Sequence, residues 1–124
     1  MNFVDTLRDF QSLGGKDQIK CALGARVFLD LKNDSRVTNL EKFYNSDLNL
    51  VYLQGKRNKT LVSFIPVLSS QPLNFLDIEN IQKALSKRKY DTLISHFSTN
   101  ITLAVCDTSS NILYYQITSG VTTK

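Results

Sequence analysis

Two cysteines and one histidine are all this chain holds of the residues that most often build metal sites and disulfide frameworks. Cys21 and Cys106 have no paired spacing and no neighbouring histidine. That excludes a zinc motif and a disulfide scaffold, and predicts buried free thiols in a reducing compartment. A glycine-rich phosphate loop and a G-x-S-x-G elbow are missing as well, which removes the enzyme classes those motifs mark. No cofactor and no metal ligand set is expected. The stretch from Met1 to Leu13 carries Asp5, Arg8 and Asp9 among its apolar residues, so it reads neither as a signal peptide nor as a membrane span. The expectation is a soluble intracellular chain, with the sequons at Asn33, Asn58 and Asn100 as chance matches. Repeats, low-complexity tracts and linkers are also lacking.

What is present suits one globular domain spanning residues 1–124. A hydrophobic share of 42% is too high for disorder. A chain of this length buries roughly two-thirds of its unfolded surface, enough for one core without staples. It leaves little room for a deep private active site. Fifteen basic residues against eleven acidic give a net charge of +4, compatible with acidic partners but short of a nucleic-acid signature. The basic residues cluster locally: Lys56, Arg57 and Lys59 in one predicted turn, and Lys83, Lys87, Arg88 and Lys89 at the end of one predicted helix. Both clusters read first as solvated faces or helix-dipole partners. Weak contact with RNA phosphates is the second reading.

Phe3, Leu7 and Phe10, with Val4 beside them, predict a short amphipathic helix that Gly14-Gly15 ends. Asp17 caps a second helix, with Ile19, Ala22, Leu23, Val27 and Phe28 as its apolar face. Gly24 weakens the middle of that helix and marks close packing against a strand. The helix fades near Asn33-Asp34-Ser35. Residues 36–46 read as a short strand or extended segment. The runs Leu48–Leu53 and Thr60–Ile65 predict two strands joined by the polar connection Gly55–Lys59. Pro66 and Pro72 close this half. Asn74 or Asp77 caps a third helix carrying Ile78, Ile81 and Leu85. Ile101–Cys106, the turn Asp107–Asn111 and Ile112–Thr118 form a closing hairpin. The order predicts an α+β fold, a mixed, mostly antiparallel sheet packed against two or three helices. The last strand puts Leu113, Tyr115 and Ile117 on one side and Ile112, Tyr114 and Gln116 on the other. Both sides are largely apolar, which fits either an edge strand that a partner covers or a central strand buried on both faces.

The closing segment, Thr102–Val105, a polar turn and Ile112–Gly120, resembles the final hairpin of the smallest tRNA-splicing endonuclease subunit, the SEN-fifteen family. Val27–Leu31 looks like that family's first long helix. Asp47–Gly55 is similar to its next strand and turn, Val62 and Pro66-Val67 to its following strand, and Ile78–Lys89 to its second helix with a basic end. These blocks keep the family's order from about residue 25 to 121, while residues 1–20 match nothing in it. The resemblance implies an endonuclease-like C-terminal hairpin and a structural subunit that pairs with a catalytic subunit through its last strand by β-augmentation. Leu113, Tyr114, Tyr115 and Ile117 are the expected anchors. The loop containing Asp107 and Ser109 would face a second catalytic subunit. It holds one acid where the superfamily often has several. Pre-tRNA would be met indirectly or through the weak basic contacts at Lys56, Arg57, Lys59, Lys87, Arg88 and Lys89. The isolated chain would self-associate. The location implied is the nucleus, or the cytoplasmic face of mitochondria.

The catalytic relatives use Tyr, His and Lys to activate the 2′-hydroxyl, protonate the leaving oxygen and stabilise the phosphate. Here the position of the family lysine falls near Ser98 or Thr99. No histidine occurs between Val67 and Leu76, where the family's would stand. The sole histidine, His96, reads as a surface or loop residue, so no catalytic residue is assigned. Two other readings remain: a longin-like or roadblock-like adaptor in trafficking or signalling, and a minimal RNase using His96 with Tyr90 and Lys89.

Overall fold

The computed structural model describes residues 2–71, 73–89, 100–109 and 111–117, with the side chains of 86–89 outside the description. In chain order it holds α1 (Phe3–Ser12), α2 (Gln18–Lys32), β1 (Val37–Asn45), β2 (Leu50–Arg57), β3 (Thr60–Leu68), α3 (Phe75–Lys89), β4 (Asn100–Cys106) and β5 (Ile112–Ile117). The strands form one open sheet in the order β1-β2-β3-β4-β5. All neighbours are antiparallel except β3 and β4, which run parallel across the α3 crossover. The predicted mixed, mostly antiparallel α+β fold is the one observed.

Local chemistry explains the element boundaries. Asn2 caps α1 by accepting from the Asp5 N–H at 2.9 Å. Gly14 then turns the chain at φ 118°, a conformation glycine adopts without cost. Asp17 caps α2 through bonds from Ile19 and Lys20 N–H. Asn74 caps α3: it accepts from the Asp77 N–H at 2.8 Å, and Asp77 reaches back to the Asn74 N–H.

Alternation places the strands' apolar residues on two faces. On one face Val51, Leu53, Val62, Phe64, Ala104 and Cys106 pack against α1 and α2 through Phe10, Leu23, Val27 and Phe28. On the other, Leu50, Tyr52, Ile65, Val67 and Ile101 meet Ile81 and Leu85 of α3. A sheet covered on both faces accounts for the unbroken apolar runs in β2 and β3. Phe10 is fully buried, and α1 is tied to the sheet by Lys42 of β1. The Lys42 ammonium lies 3.0 Å from Asp9 and 4.2 Å above the Phe28 ring. Gly24 is the point of closest approach: a Cβ there would lie 2.6 Å from Val51 Cγ1 and 3.1 Å from the Phe10 ring.

Three expectations are corrected, and the strand expected within residues 36–46 is found at full length. Ile19 is exposed, because the buried face of α2 is set by Cys21, Leu23, Ala25, Val27, Phe28 and Leu31. The connection between β2 and β3 is two residues, not five. Asn58 and Lys59 take φ of 54° and 68°, the left-handed pair of a tight hairpin, and Gly55–Arg57 stay in the strand. Pro66 does not end β3: pairing with β2 stops at Phe64, so the strand carries its proline where only β4 flanks it. Residues 37–45 are a full strand whose register slips between Thr38 and Glu41, with Asn39 at φ 54°. This irregularity interrupts the alternation that would have marked it.

Candidate functional site

The last hairpin builds an edge. β5 pairs with β4 from Cys106↔Ile112 to Ile101↔Ile117 and has no strand on its other flank among the described residues. The two faces of β5 differ in environment. Ile112 and Tyr114 turn towards the α2 side of the core. Leu113 and Tyr115 are 58% and 54% exposed on the other face, and Ile117 leans into the α3-side cluster. An edge strand with a leucine and a tyrosine facing solvent is the kind of surface a folded chain normally covers.

Two ties from α2 hold this hairpin in place. The Tyr114 hydroxyl donates to Asp30 Oδ2 at 2.5 Å, and its ring meets Phe64 edge-on with centroids 6.4 Å apart. Burial, and then the Asp30 carboxylate, push the phenol well above its ordinary pKa, so Tyr114 stays protonated and donating. One turn of helix earlier, the Arg26 guanidinium donates to the Asp107 carbonyl at 3.2 Å. The turn is preformed by its own acid. Asp107 Oδ1 accepts from the Ser109 and Asn111 N–H groups at 2.8 and 2.9 Å, and Oδ2 accepts from the Asn111 amide at 3.3 Å. The Asn111 N–H, seconded by Ser109, lowers the Asp107 pKa. Burial raises the Cys106 thiol, at the end of β4, above its ordinary value, so it is a packing group and not a thiolate nucleophile.

The structure thus brings Leu113, Tyr115 and Ile117 onto one face of the edge, with Asp107 and Ser109 at its end. Tyr114 lies on the opposite face and acts through Asp30. Lys56, Arg57 and Lys59 are not part of this site: they stand at the other end of the sheet, around the β2–β3 turn. His96 and Tyr90 lie outside the described residues. Among those described, no group of three His, Cys, Asp or Glu side chains could hold a metal ion, and no helix is long and apolar enough to cross a membrane. Sequence reasoning missed Arg26 and Asp30. Their signal was an i, i+4 pair of charges in a helical run otherwise apolar from Cys21 through Leu31.

The fold and this edge define an α+β domain with an open sheet, held ready at its last hairpin. The family model described as Sen15 protein matches residues 26–123, and the chain belongs to that family, the non-catalytic subunits of the tRNA-splicing endonuclease. The match begins at Arg26, inside α2, so α1 and the first turns of α2 lie outside it. No individually curated protein matches the chain.

Proposed function

We propose that this chain is a structural subunit that pairs with a catalytic subunit of the endonuclease through β5 and performs no cleavage itself. The observation that carries the reading is the flank of β5, which no strand covers among the described residues, with Leu113 and Tyr115 turned outward. A strand added there would satisfy main-chain groups on the open flank, while Leu113 and Tyr115 supply apolar area and side-chain selectivity. Ile117 extends that face, and Tyr114 acts from behind by holding β5 against α2. The Asp107–Asn111 turn, already closed by its own hydrogen bonds, would meet a second subunit with little ordering cost. Family membership favours this reading over a trafficking adaptor.

The test is co-purification from cells. The wild-type chain is expected to bring down the catalytic endonuclease subunits, and Leu113→Asp/Tyr115→Asp to lose them, since buried anchors are each worth on the order of 2 kcal/mol. Retention of the subunits by a folded double variant would sink the idea. Catalysis is tested separately: His96→Ala in the assembled enzyme should leave pre-tRNA cleavage unchanged. A fluorescent fusion is expected in the nucleus, with the mitochondrial surface as the alternative site for the same complex.

A further inference from the structure

The sheet forks at one end. Counting from the tight turn at Asn58-Lys59, the hydrogen-bonded rungs between β2 and β3 fall at Arg57↔Thr60, Gly55↔Val62 and Leu53↔Phe64. The next would join Val51 to Pro66, and proline has no N–H to give the Val51 carbonyl. The ladder ends at Leu53↔Phe64. Beyond it β2 stays with β1 as far as Leu50, and β3 stays with β4 as far as Leu68. Each prong is held from outside, with no ladder between the two among the described residues. A cavity of about 260 Å³ lies in this fork, with Val51 and Pro66 on its wall.

Leu48, Ile65, Leu73 and Ile81 make much of the remaining wall apolar. Leu76 stands one turn before Asn80 on α3, is 61% exposed, and extends the apolar rim. The polar groups are mainly acceptors. Asp77 faces the cavity from α3, with one oxygen accepting from the Asn74 N–H at 3.3 Å. Asp47 is exposed in the turn just before Leu48. Lys20 is the one cation among the lining residues, and its ammonium is held 2.7 Å from the Asn49 carbonyl. Asp77, Asp47 and the Val51 carbonyl therefore suit donors, above all cationic ones, that a visitor brings. Small-molecule sites usually enclose ~300–1,000 Å³, more than this cavity does. One bulky side chain seated in an apolar pocket is the use that a hole of this size serves at a protein interface.

We infer that the fork is an anchor pocket for a basic protein segment. One bulky apolar side chain of that segment enters the cavity, and a neighbouring lysine or arginine meets Asp77 and Asp47. The fork opens at the end of the sheet that carries the Asp107 turn. Pro66 pairs with Ala104, roughly 10 Å before Asp107 along β4, and the Ser69 N–H bonds the Cys106 carbonyl. The segment accordingly belongs to the second subunit, the one that meets the Asp107 turn, so the inference rests on the pairing reading above. A second copy of this chain is the poorer occupant, because a two-fold contact here would bring the same acids together. Leu113 and Tyr115 take no part in the cavity wall. The pocket is therefore a contact separate from the β5 edge.

The experiment is photo-cross-linking in the complex assembled in cells, with p-benzoylphenylalanine in place of Leu76 or of Thr108 in the full chain. The expected result at Leu76 is a cross-link to a catalytic subunit, at a segment with a bulky apolar residue beside Lys or Arg. Thr108, exposed in the Asp107 turn, should reach the same subunit. A cross-link from Leu76 to another copy of this chain, to a segment lacking Lys and Arg, or to a different subunit from the one reached at Thr108 would overturn the inference. So would none at Leu76 in a complex that has assembled. Asp47→Lys/Asp77→Lys should lower co-purification of that subunit by roughly tenfold. The control Asp5→Lys/Glu41→Lys, at two other exposed acids, should leave it within about twofold. Equal losses in both, or no loss in a folded test variant, would count against the pocket. The cross-link is made with both acids in place, so it decides if the double variant fails to fold. Failure of the pairing reading looks different. A wild-type chain that captures no catalytic subunit sinks both claims. A captured subunit that never cross-links at Leu76 sinks only the pocket, and a Leu76 cross-link that survives Leu113→Asp/Tyr115→Asp sinks only the β5 edge.

Discussion

Tyr114 and Asp30 join residues 84 positions apart, and the bond between them is what keeps the edge strand seated on α2. Tyr114→Phe keeps the ring against Phe64 and deletes one hydrogen bond to a charged acceptor. The expected cost is about 1–2 kcal/mol, read as a lower urea midpoint with unchanged slope. Two half-buried carboxylates should be visible in acid. Arg36 holds Asp34 down at about 2, and the turn amides lower Asp107. Both are depressed relative to an unfolded value of about 3.9. Their contribution is therefore present above pH ~4 and lost as pH falls through the folded pKa. Asp34→Asn/Asp107→Asn should flatten the fall of the urea midpoint between pH ~4 and ~2; an unchanged acid limb would contradict the assignment. Residue-scale features with local causes were legible in the sequence, such as the Asp17 cap and the close approach at Gly24. The Asp30–Tyr114 bond was not, because nothing in either segment names its distant partner.

At the scale of elements, α1 is the part most open to doubt from family membership alone, since the family match starts at Arg26. Its packing says it belongs: Phe10 is fully buried beside Gly24 and Val51, and Asp9 is held by Lys42. Phe10→Ala is expected to cost about 3–5 kcal/mol by leaving a cavity, measured by urea unfolding. An effect below about 1 kcal/mol would mean that α1 is an appendage. Gly24→Ala sets two effects against each other. Alanine adds up to about 1 kcal/mol of helix propensity, but its Cβ meets the stiff Val51 side chain at 2.6 Å, and overpacking typically costs 1–3 kcal/mol. Net destabilisation is the expected result. The helices and the closing hairpin were readable because their periodicities are clean. The β2–β3 turn was misread because Lys59 at φ 68° is not a residue turn rules select, so Gly55 drew the boundary too early. β1 was half-hidden by the irregularity at Asn39, and Pro66 could stay in its strand only because β2 had already stopped pairing.

Among the described residues the sheet of the whole molecule has two free edges, β1 and β5, and they are not alike. β1 carries a register slip and a positive-φ asparagine, features that discourage a neighbouring strand. β5 is regular along its six residues and turns a leucine and a tyrosine outward. That contrast could not be read from pattern, because an apolar terminal run suits an edge and a centre equally well. It takes the strand order to separate them. β5, and not β1, is expected to receive the partner. Hydrogen–deuterium exchange of the full chain with and without a catalytic endonuclease subunit tests it directly. Slowed exchange is expected at the amides of residues 112–117 on complex formation, with residues 37–45 unchanged. Protection confined to β1, or none at β5 in a complex that has formed, would contradict it.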